Sequence, residues 1–195
     1  MARRNVRRIR DLETLKALGH PLRTQLYRAL RVAHRATASQ LADQVDEAVS
    51  LVSYHLRKLA AHGLIEEAEQ GGKDGRERWW QMAVGGISTE DEDFRETPES
   101  EGAYIALSRL VARQRAEMYQ SYLDTKSAWP DDWRDASFSS EYLMSLTPEE
   151  FGRLREEMKE LLKKWEAHSD AAREAGDREG REHVTVHTIG FPFRP

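Results

Sequence analysis

Apolar residues in the first half of the chain recur with the spacing of short helices, most clearly between 37 and 64. Thr37 and Gln40 have the spacing of a capping box, in which a hydroxyl and an amide each bind one backbone N–H at the start of a helix. This pattern predicts a helix that begins at Ala38. The helix is expected to end at Asp46, because aspartate adopts a left-handed turn more readily than most residues.

A second helix is predicted from about Val49, with one apolar and one polar face. Residues spaced four and three apart form its buried stripe, namely Val52, Leu56 and Leu59. The other side carries hydroxyl, aromatic and basic groups, namely Ser50, Ser53, Tyr54, Arg57 and Lys58. Such groups hydrogen-bond base edges and phosphates when a helix lies in the major groove of DNA. An ordinary amphipathic helix has a similar solvated face, so this pattern alone does not identify a DNA-binding helix. The residues that follow distinguish the two possibilities.

A hairpin is predicted directly after this helix. Gly63 ends the helix, 64–69 is predicted as a strand, 70–75 is a polar tip with three glycines, and 76–84 returns as a second strand. The order helix, turn, helix, hairpin is typical of a winged helix-turn-helix, whose wing touches the DNA backbone or minor groove. The basic residues expected to make that contact are Lys73, Arg76 and Arg78.

Two more helices are predicted before this pair. Asp11 has the position of an N-cap for the first, which Gly19 ends, and a second helix is expected over about 21–32. Together they would complete a three-helix core ahead of the wing. His20 is expected to have a structural role. His55 lies at the edge of a buried stripe, which favours packing over a phosphate contact.

Four stretches carry a family resemblance. They are LKALGHPLR at 15–23, LAD at 41–43, VSYHLRKL at 52–59 and GLI at 63–65. In them, and over about 11–84 as a whole, the chain resembles the ArsR-like family of bacterial winged-helix repressors. The resemblance implies sequence-specific binding of double-stranded DNA by a homodimer. It does not imply metal sensing, because the family's metal sensors use cysteine thiolates and this chain has none. Asp46 also departs from the family, which usually has glycine there.

Charge is divided unevenly along the chain, whose net charge is −4. Residues 1–85 contain 15 Lys and Arg against 10 Asp and Glu, whereas 86–195 contain 15 against 24. The basic half is the one with the predicted helix-turn-helix, and the local charge is what a phosphate backbone meets. Residues 1–10 form a basic arm with five arginines. This arm could enter a minor groove or simply keep the chain in solution.

Composition narrows the class of protein further. No apolar run approaches the roughly 20 residues that a membrane span needs, and the arginine-rich N-terminus has no apolar segment behind it. We therefore expect a cytoplasmic protein that does not bind membranes. The absence of cysteine excludes disulfides, thiolate catalysis and cysteine-based zinc sites.

The second half is predicted to begin with an acidic linker over 86–100, followed by a long helix from about Glu101 to just before Pro130. The apolar stripe of this helix comprises Tyr104, Leu107, Val111, Met118, Tyr122 and Leu123. This stripe is too long for one small domain to cover. That favours a dimerisation helix packed against its symmetry mate over a helix packed within one chain.

Beyond the long helix, strands are predicted at 137–144 and 183–189, with a helix from Thr147 between them. The two strands would pair into a small sheet covered by that helix. Aromatic residues of this half could line a pocket for a small apolar ligand, although core packing is the more common use of such residues. These residues are Tyr104, Tyr119, Tyr122, Trp129, Trp133, Phe138 and Tyr142.

An enzyme is the weaker hypothesis. The chain has no glycine-rich phosphate loop, nucleophile elbow or H-E-x-x-H sequence. His183 and His187 would share one face of a strand about 13 Å apart, too far to hold one metal ion. We predict neither a catalytic site, nor a metal site, nor a cofactor.

The predicted fold class is α+β, with an N-terminal winged helix-turn-helix domain, a long dimerisation helix and a small C-terminal α/β subdomain. The predicted segments are a basic arm at 1–10, the DNA-binding domain at 11–85, the linker at 86–100 and the C-terminal domain at 101–195. The predicted function is a sequence-specific transcriptional repressor that acts as a homodimer. The alternatives are a winged-helix protein-interaction module and a regulator whose C-terminal domain binds a small apolar ligand.

Overall fold

Four helices and a short sheet build the N-terminal part of the chain in a computed structural model, which describes residues 6–68 and 77–194. The helices are α1 (Leu12–Leu18), α2 (Pro21–Ala33), α3 (Ala38–Val45) and α4 (Val49–Ala61). Each begins within one residue of its predicted start. Lys73, Arg76 and the predicted hairpin tip at 70–75 lie outside the described residues.

The wing is a three-stranded antiparallel sheet. Its strands are β2 (Arg35–Thr37), β3 (Ile65–Glu67) and β4 (Trp79–Met82), in the order β2-β4-β3. Ala36 pairs with Trp80, whose side chain is 3% exposed and anchors the sheet on the helices. The sequence predicted β3 and β4 from the glycines that flank them, whereas the three residues of β2 have no such turn signal beside them.

The predicted apolar stripes form the core of this part. Leu26 and Leu30 of α2, Leu41 of α3, and Val52 of α4 are 0% exposed. Leu56 and Leu59 are buried to the same extent, so the predicted inner face of α4 is confirmed. Each such side chain contributes about 1.5–3 kcal/mol when fully removed from water. The core thus fixes the rotation of α4 and, with it, the residues that α4 turns outward.

The first described residues are part of the fold rather than a loose arm. They form β1 (Val6–Ile9), which pairs in parallel with β5 (Gly86–Thr89). Arg7 Nη1 donates to the carbonyl of His62 at 2.7 Å, and Arg8 Nε donates to Asp93 Oδ2 at 2.5 Å. The prediction of a free basic arm is therefore wrong for residues 6–10. Arg3 and Arg4 lie outside the described residues.

The segment at 86–100 has regular structure, so the prediction of a linker there is wrong. It contains β5, a 3-10 helix at Asp91–Phe94 and the start of α5 (Pro98–Thr125). Phe94 is 1% exposed, so it belongs to the core. The acidic residues that suggested a linker hold arginines instead, since Glu92 and Asp93 both bind Arg8. These partners are more than 80 residues away in the sequence, so the local pattern does not reveal them.

α5 begins three residues earlier than predicted and packs its first half within its own unit. Thr97 Oγ1 accepts from Ser100 N at 3.1 Å, which caps the helix ahead of Pro98. Leu107, Leu110 and Gln114 are buried. The predicted stripe is therefore covered in part by the same chain. Farther along, Tyr119 and Leu123 are 44% and 42% exposed.

The chain divides into two compact units, Met1–Asp124 and Thr125–Pro195. The second contains a 3-10 helix at Lys126–Ala128, α6 (Asp131–Ala136) and α7 (Pro148–Glu174). The capping box predicted at Thr147 is confirmed, since Thr147 Oγ1 accepts from Glu150 N and Glu150 Oε2 accepts from Thr147 N. No helix in the described part of the chain is long and apolar enough to cross a membrane.

The strands predicted at 137–144 and 183–189 are wrong, and so is the small sheet they would have formed. Both stretches lack regular secondary structure, and no residue between 125 and 194 is buried. Strand pairing of a few residues needs a buried face to be stable, and these segments do not have one. Phe138 and Tyr142, two aromatics considered for a ligand pocket, are 77% and 76% exposed.

Candidate nucleic-acid interface

The turn between α3 and α4 sets the direction of the candidate recognition helix. Thr37 and Gln40 make both hydrogen bonds of the predicted capping box at the start of α3. Asp46 ends α3 in the left-handed region, with φ 52° and ψ 51°. Its N–H donates to the carbonyl of Ala42, which closes the helix. Both features were predicted, and together they allow α4 to start at Val49 across a short turn.

The five residues predicted on the outer face of α4 lie on one side of it. Tyr54 is 47% exposed, Ser50, Arg57 and Lys58 are exposed, and Ser53 is half-buried. Lys58 Nζ lies 5.7 Å from the centre of the Tyr54 ring, one helical turn away. This cation–π contact orders both side chains at the surface. The helix thus presents two cations, two hydroxyls and a phenol to solvent.

A cavity of about 400 Å³ lies between α4 and the wing. Ser53 and Arg57 line it from α4, and Arg78 lines it from the position just before β4. Three predicted site residues from two separate elements therefore meet at one place. Glu77 and Trp80 complete the lining on the wing side. Arg78 also binds Glu67 Oε1 at 3.1 Å, and its guanidinium lies 5.9 Å from the ring of Trp80.

The start of α3 forms the remaining wall of this cavity and was not predicted as part of the site. Thr37, Ala38 and Ser39 line the cavity. The first backbone N–H groups of a helix carry a partial positive charge and suit an anion such as phosphate. The capping box marked this helix start in the sequence. Only the folded sheet, however, brings it next to Arg57 and Arg78.

His20 and His55 attach α4 to the start of α2. The two rings lie 4.3 Å apart, and His20 Nδ1 accepts from Leu22 N at 3.2 Å as the N-cap of α2. His55 is 4% exposed, which confirms its predicted packing role, and the N-cap bond of His20 confirms the structural role predicted for that residue. Burial lowers the pKa of each imidazole, and the positive charge of Arg23 lowers both further. The neutral rings therefore serve as packing groups and not as phosphate ligands.

No group of three or more His, Asp or Glu side chains suited to a metal ion occurs in the described ranges 6–68 and 77–194. His183 is exposed, and Thr185 Oγ1 lies 3.1 Å from His187 Nε2. Two histidines alone leave a zinc ion short of ligands.

Comparison with known proteins agrees with the geometry of the N-terminal unit. The family described as "Helix-turn-helix domain" (HTH_20) matches residues 18–68, which run from the end of α1 to the residue after β3. This match and the winged-helix topology define an α+β protein with an N-terminal winged helix-turn-helix domain. They support a DNA-binding transcriptional regulator. The matched region does not single out the ArsR-like family among such regulators.

Solved structures give weaker likenesses. A possible transcriptional regulator for arsenical resistance is 25% identical over 53% of this chain and 97% of its own, with a TM-score of 0.32. YusO of Bacillus subtilis is 20% identical over 60% of this chain and 79% of its own, with a TM-score of 0.34. ZitR of Lactococcus lactis, a zinc-responsive MarR family member, is 17% identical over 59% of this chain and 65% of its own, with a TM-score of 0.31. No curated protein has a matching sequence.

Proposed function

We propose that this protein is a sequence-specific repressor that binds double-stranded DNA as a homodimer, with α4 in the major groove and the wing beside it. One observation carries the proposal: Ser53 and Arg57 of α4 and Arg78 of the wing border one cavity. A DNA strand at the edge of the major groove would pass this cavity. Its phosphate would lie near Arg78, while Arg57 reaches a base edge.

Charge in the site favours nucleic acid over an acidic protein partner. Arg57, Lys58 and Arg78 outnumber the two nearby carboxylates, which are Glu77 in the cavity lining and Glu67, the partner of Arg78. A winged helix used only for protein interaction would not need basic groups on both the helix and the wing. We propose no catalytic role, because no histidine stands among the described residues that line the cavity to activate a hydroxyl such as that of Ser53.

The homodimer is proposed from the exposed end of α5. Tyr119 and Leu123 are large apolar residues with more than two-fifths of their surface in water. Tyr122 stacks on Tyr119, with ring centres 6.2 Å apart, which extends the apolar surface. A two-fold pairing here would place two copies of α4 in successive major grooves, about 34 Å apart. Repression follows if the dimer occupies the promoter from which RNA polymerase starts.

The proposal is tested by separating base contacts from phosphate contacts. A binding site is first selected from random-sequence DNA, and affinities are then measured by fluorescence anisotropy at several salt concentrations. Arg57→Ala should cost about 1–3 kcal/mol on the selected site and relax the preference at one base position. Arg78→Ala should weaken selected and random DNA equally and lower the salt slope by about one unit.

Lys73→Ala and Arg76→Ala are expected to behave like Arg78→Ala. The matched control is Arg134→Ala, which removes a partly exposed arginine from α6 in the second unit and should leave DNA affinity unchanged. Equal losses on selected and random DNA for Arg57→Ala would show that α4 does not read the sequence.

A further inference from the structure

α7 presents an apolar stripe that its own chain leaves largely exposed. Met158, Leu161 and Trp165 are 41%, 55% and 60% exposed. Phe151, at the start of the helix, is close to the backbone of Gly190, so it is covered in part. No residue between 125 and 194 is buried. The second unit therefore has no core into which this stripe packs. An exposed apolar stripe of this kind marks a surface for binding another molecule.

The stripe has the heptad spacing of a coiled coil. The apolar positions alternate in steps of three and four: Phe151, Leu154, Met158, Leu161 and Trp165. In heptad notation the first, third and fifth are a positions, and the second and fourth are d positions. A seam of this period is matched by another helix with the same period. The regular spacing thus favours a helical partner over a flat or globular one.

We propose that the partner is a second copy of this chain, with the two α7 helices packed antiparallel in a two-stranded coiled coil. Antiparallel pairing opposes each a position to a d position of the other helix. A two-fold axis between 159 and 160 places Met158 against Leu161 of the second copy. The same axis places Leu154 against Trp165, a small side chain against a large one. Symmetry repeats both layers, so the exposed centre of the stripe is covered by itself.

Charges beside the seam favour this register. Glu157 and Lys164 occupy g positions. In the antiparallel register Glu157 lies opposite Lys164 of the second copy, and symmetry produces this attractive pair twice. One copy of α7 therefore provides both charges that a second copy needs, which favours self-pairing over pairing with a different protein. Antiparallel helices also bring opposite ends of their dipoles together.

A parallel pair fits the charges less well. It would place Glu157 opposite Leu162, and its only attractive pair would join Glu150 to Arg155 of the second copy. Glu150 already closes the capping box, since its Oε2 accepts from Thr147 N at 2.8 Å. Arg155 Nε is bound to Glu156 at 3.2 Å. The antiparallel pair requires neither of these bonds to break.

A membrane surface is a poorer occupant of the same stripe. Between Pro148 and Glu174 the helix has eight Asp and Glu against six Lys and Arg. Helices that lie on anionic membranes have a basic polar face, which α7 does not have. The proposed pairing rests on other residues than DNA binding and the contact proposed for α5. Its test compares the self-association of full-length variants without DNA, so any contribution from α5 is the same in each.

The test uses charge reversal and mixing. Glu157→Lys alone and Lys164→Glu alone turn both symmetry-related pairs into like-charge pairs, so each should weaken the dimer by at least about tenfold in Kd. An equimolar mixture of the two variants should restore it. In the mixed dimer, the new lysine of one variant meets the new glutamate of the other, and the second pair keeps its native Glu157 and Lys164. Sedimentation velocity at several concentrations gives the three Kd values.

Mixing makes the test specific. Any loss of helix stability caused by either substitution persists in the mixture, so recovery can arise only from a contact between copies. The matched control is the double variant Glu156→Lys with Lys159→Glu, which exchanges an ion pair of 3.6 Å at the outer face of α7. It should leave the dimer Kd unchanged. Unchanged Kd values for both single variants, or losses that mixing does not restore, would overturn the proposal.

A cross-link gives a second and independent measurement. The chain has no cysteine, so each new one reports only its own position. Leu154→Cys and Trp165→Cys should form a disulfide when the two variants are mixed and oxidised, because the antiparallel register makes them neighbours. Neither variant should cross-link to itself. Self-cross-linking of Leu154→Cys would show a parallel pair. The absence of a cross-link in the mixture would show that the helices do not pair in this register. Either result overturns the proposal.

Discussion

His55 fixes the recognition helix through a side chain that never reaches the surface. Its ring packs between His20 and Tyr54, with ring centres 4.3 and 5.1 Å away. Its Nδ1 has no hydrogen-bond partner within the described part of the chain. Protonation would put a charge in a desolvated position beside His20 and Arg23, and these three effects hold the pKa of His55 below its ordinary value of 6.5. The neutral ring is therefore the form that the fold requires.

This pair of histidines predicts an acid-sensitive fold. The pKa values of His20 and His55 are both lowered in the folded chain, so the unfolded chain binds more protons as the pH falls below about 6.5. The contribution of these two histidines to the free energy of unfolding is fully present above that pH and is lost below it. Urea unfolding at about pH 7.5 and about pH 5.5 should show a lower midpoint in acid. His55→Phe, which keeps a ring but cannot be protonated, should reduce this decrease. Equal midpoints for the wild-type chain would contradict the expectation.

The roles of exposed residues were predicted better than the roles of the first arginines. Arg57 was predicted correctly to face outward because the helical period alone determines which side of α4 it occupies. Arg7 and Arg8 have the sequence pattern of a solvated basic arm. Their roles follow instead from bonds to His62 and Asp93, which lie 55 and 85 residues away. A local pattern carries no information on such partners.

Among the elements, helices with caps were predictable, whereas the short strands β1, β2 and β5 were not. The starts of α3 and α7 are marked by capping boxes within four residues, so the sequence alone locates them. β1 and β5 have four residues each and depend on each other across about 80 positions of the chain. The segments at 137–144 and 183–189 alternate well enough to suggest strands. These segments do not form strands, because neither has a buried face that would stabilise the pairing.

Asp46 provides a test at the scale of the turn between α3 and α4. An L-residue in the left-handed region is strained, and aspartate is strained less than most. Asp46→Gly should therefore raise the free energy of unfolding by up to about 1 kcal/mol, whereas Asp46→Val should lower it by about 1–2 kcal/mol. Thermal unfolding followed by circular dichroism measures both. A valine variant as stable as the wild-type chain would mean that the turn can be remodelled at no cost.

At the scale of the whole molecule, charge and apolar surface are divided between the two ends of the chain. Residues 1–85 carry the excess of basic groups, and the buried core consists of described residues between Ile9 and Leu110, whereas 125–194 contain no buried residue. The helices α1 to α4 could be predicted because a single core specifies them through regular apolar spacing. The second unit has helices whose apolar faces are still exposed. In the pairing proposed for α7, these faces are covered by another copy, which the pattern of one chain does not describe.

The absence of cysteine predicts how the whole protein responds to metals and oxidants. Thiolates are the ligands that bind arsenite and cadmium tightly, and they are also the groups that oxidants convert to disulfides. DNA affinity should therefore be unchanged by micromolar arsenite, cadmium or zinc, and by oxidants or thiol reductants. The measurement is a DNA-binding titration with each metal present and then chelated.

The seven histidines are the borderline ligands that remain, and His183 and His187 are the two closest to each other along the sequence of the C-terminal unit. A shift of about tenfold with zinc that His183→Ala or His187→Ala abolishes would contradict the prediction, because a zinc site would then link the C-terminal segment to the DNA-binding domain.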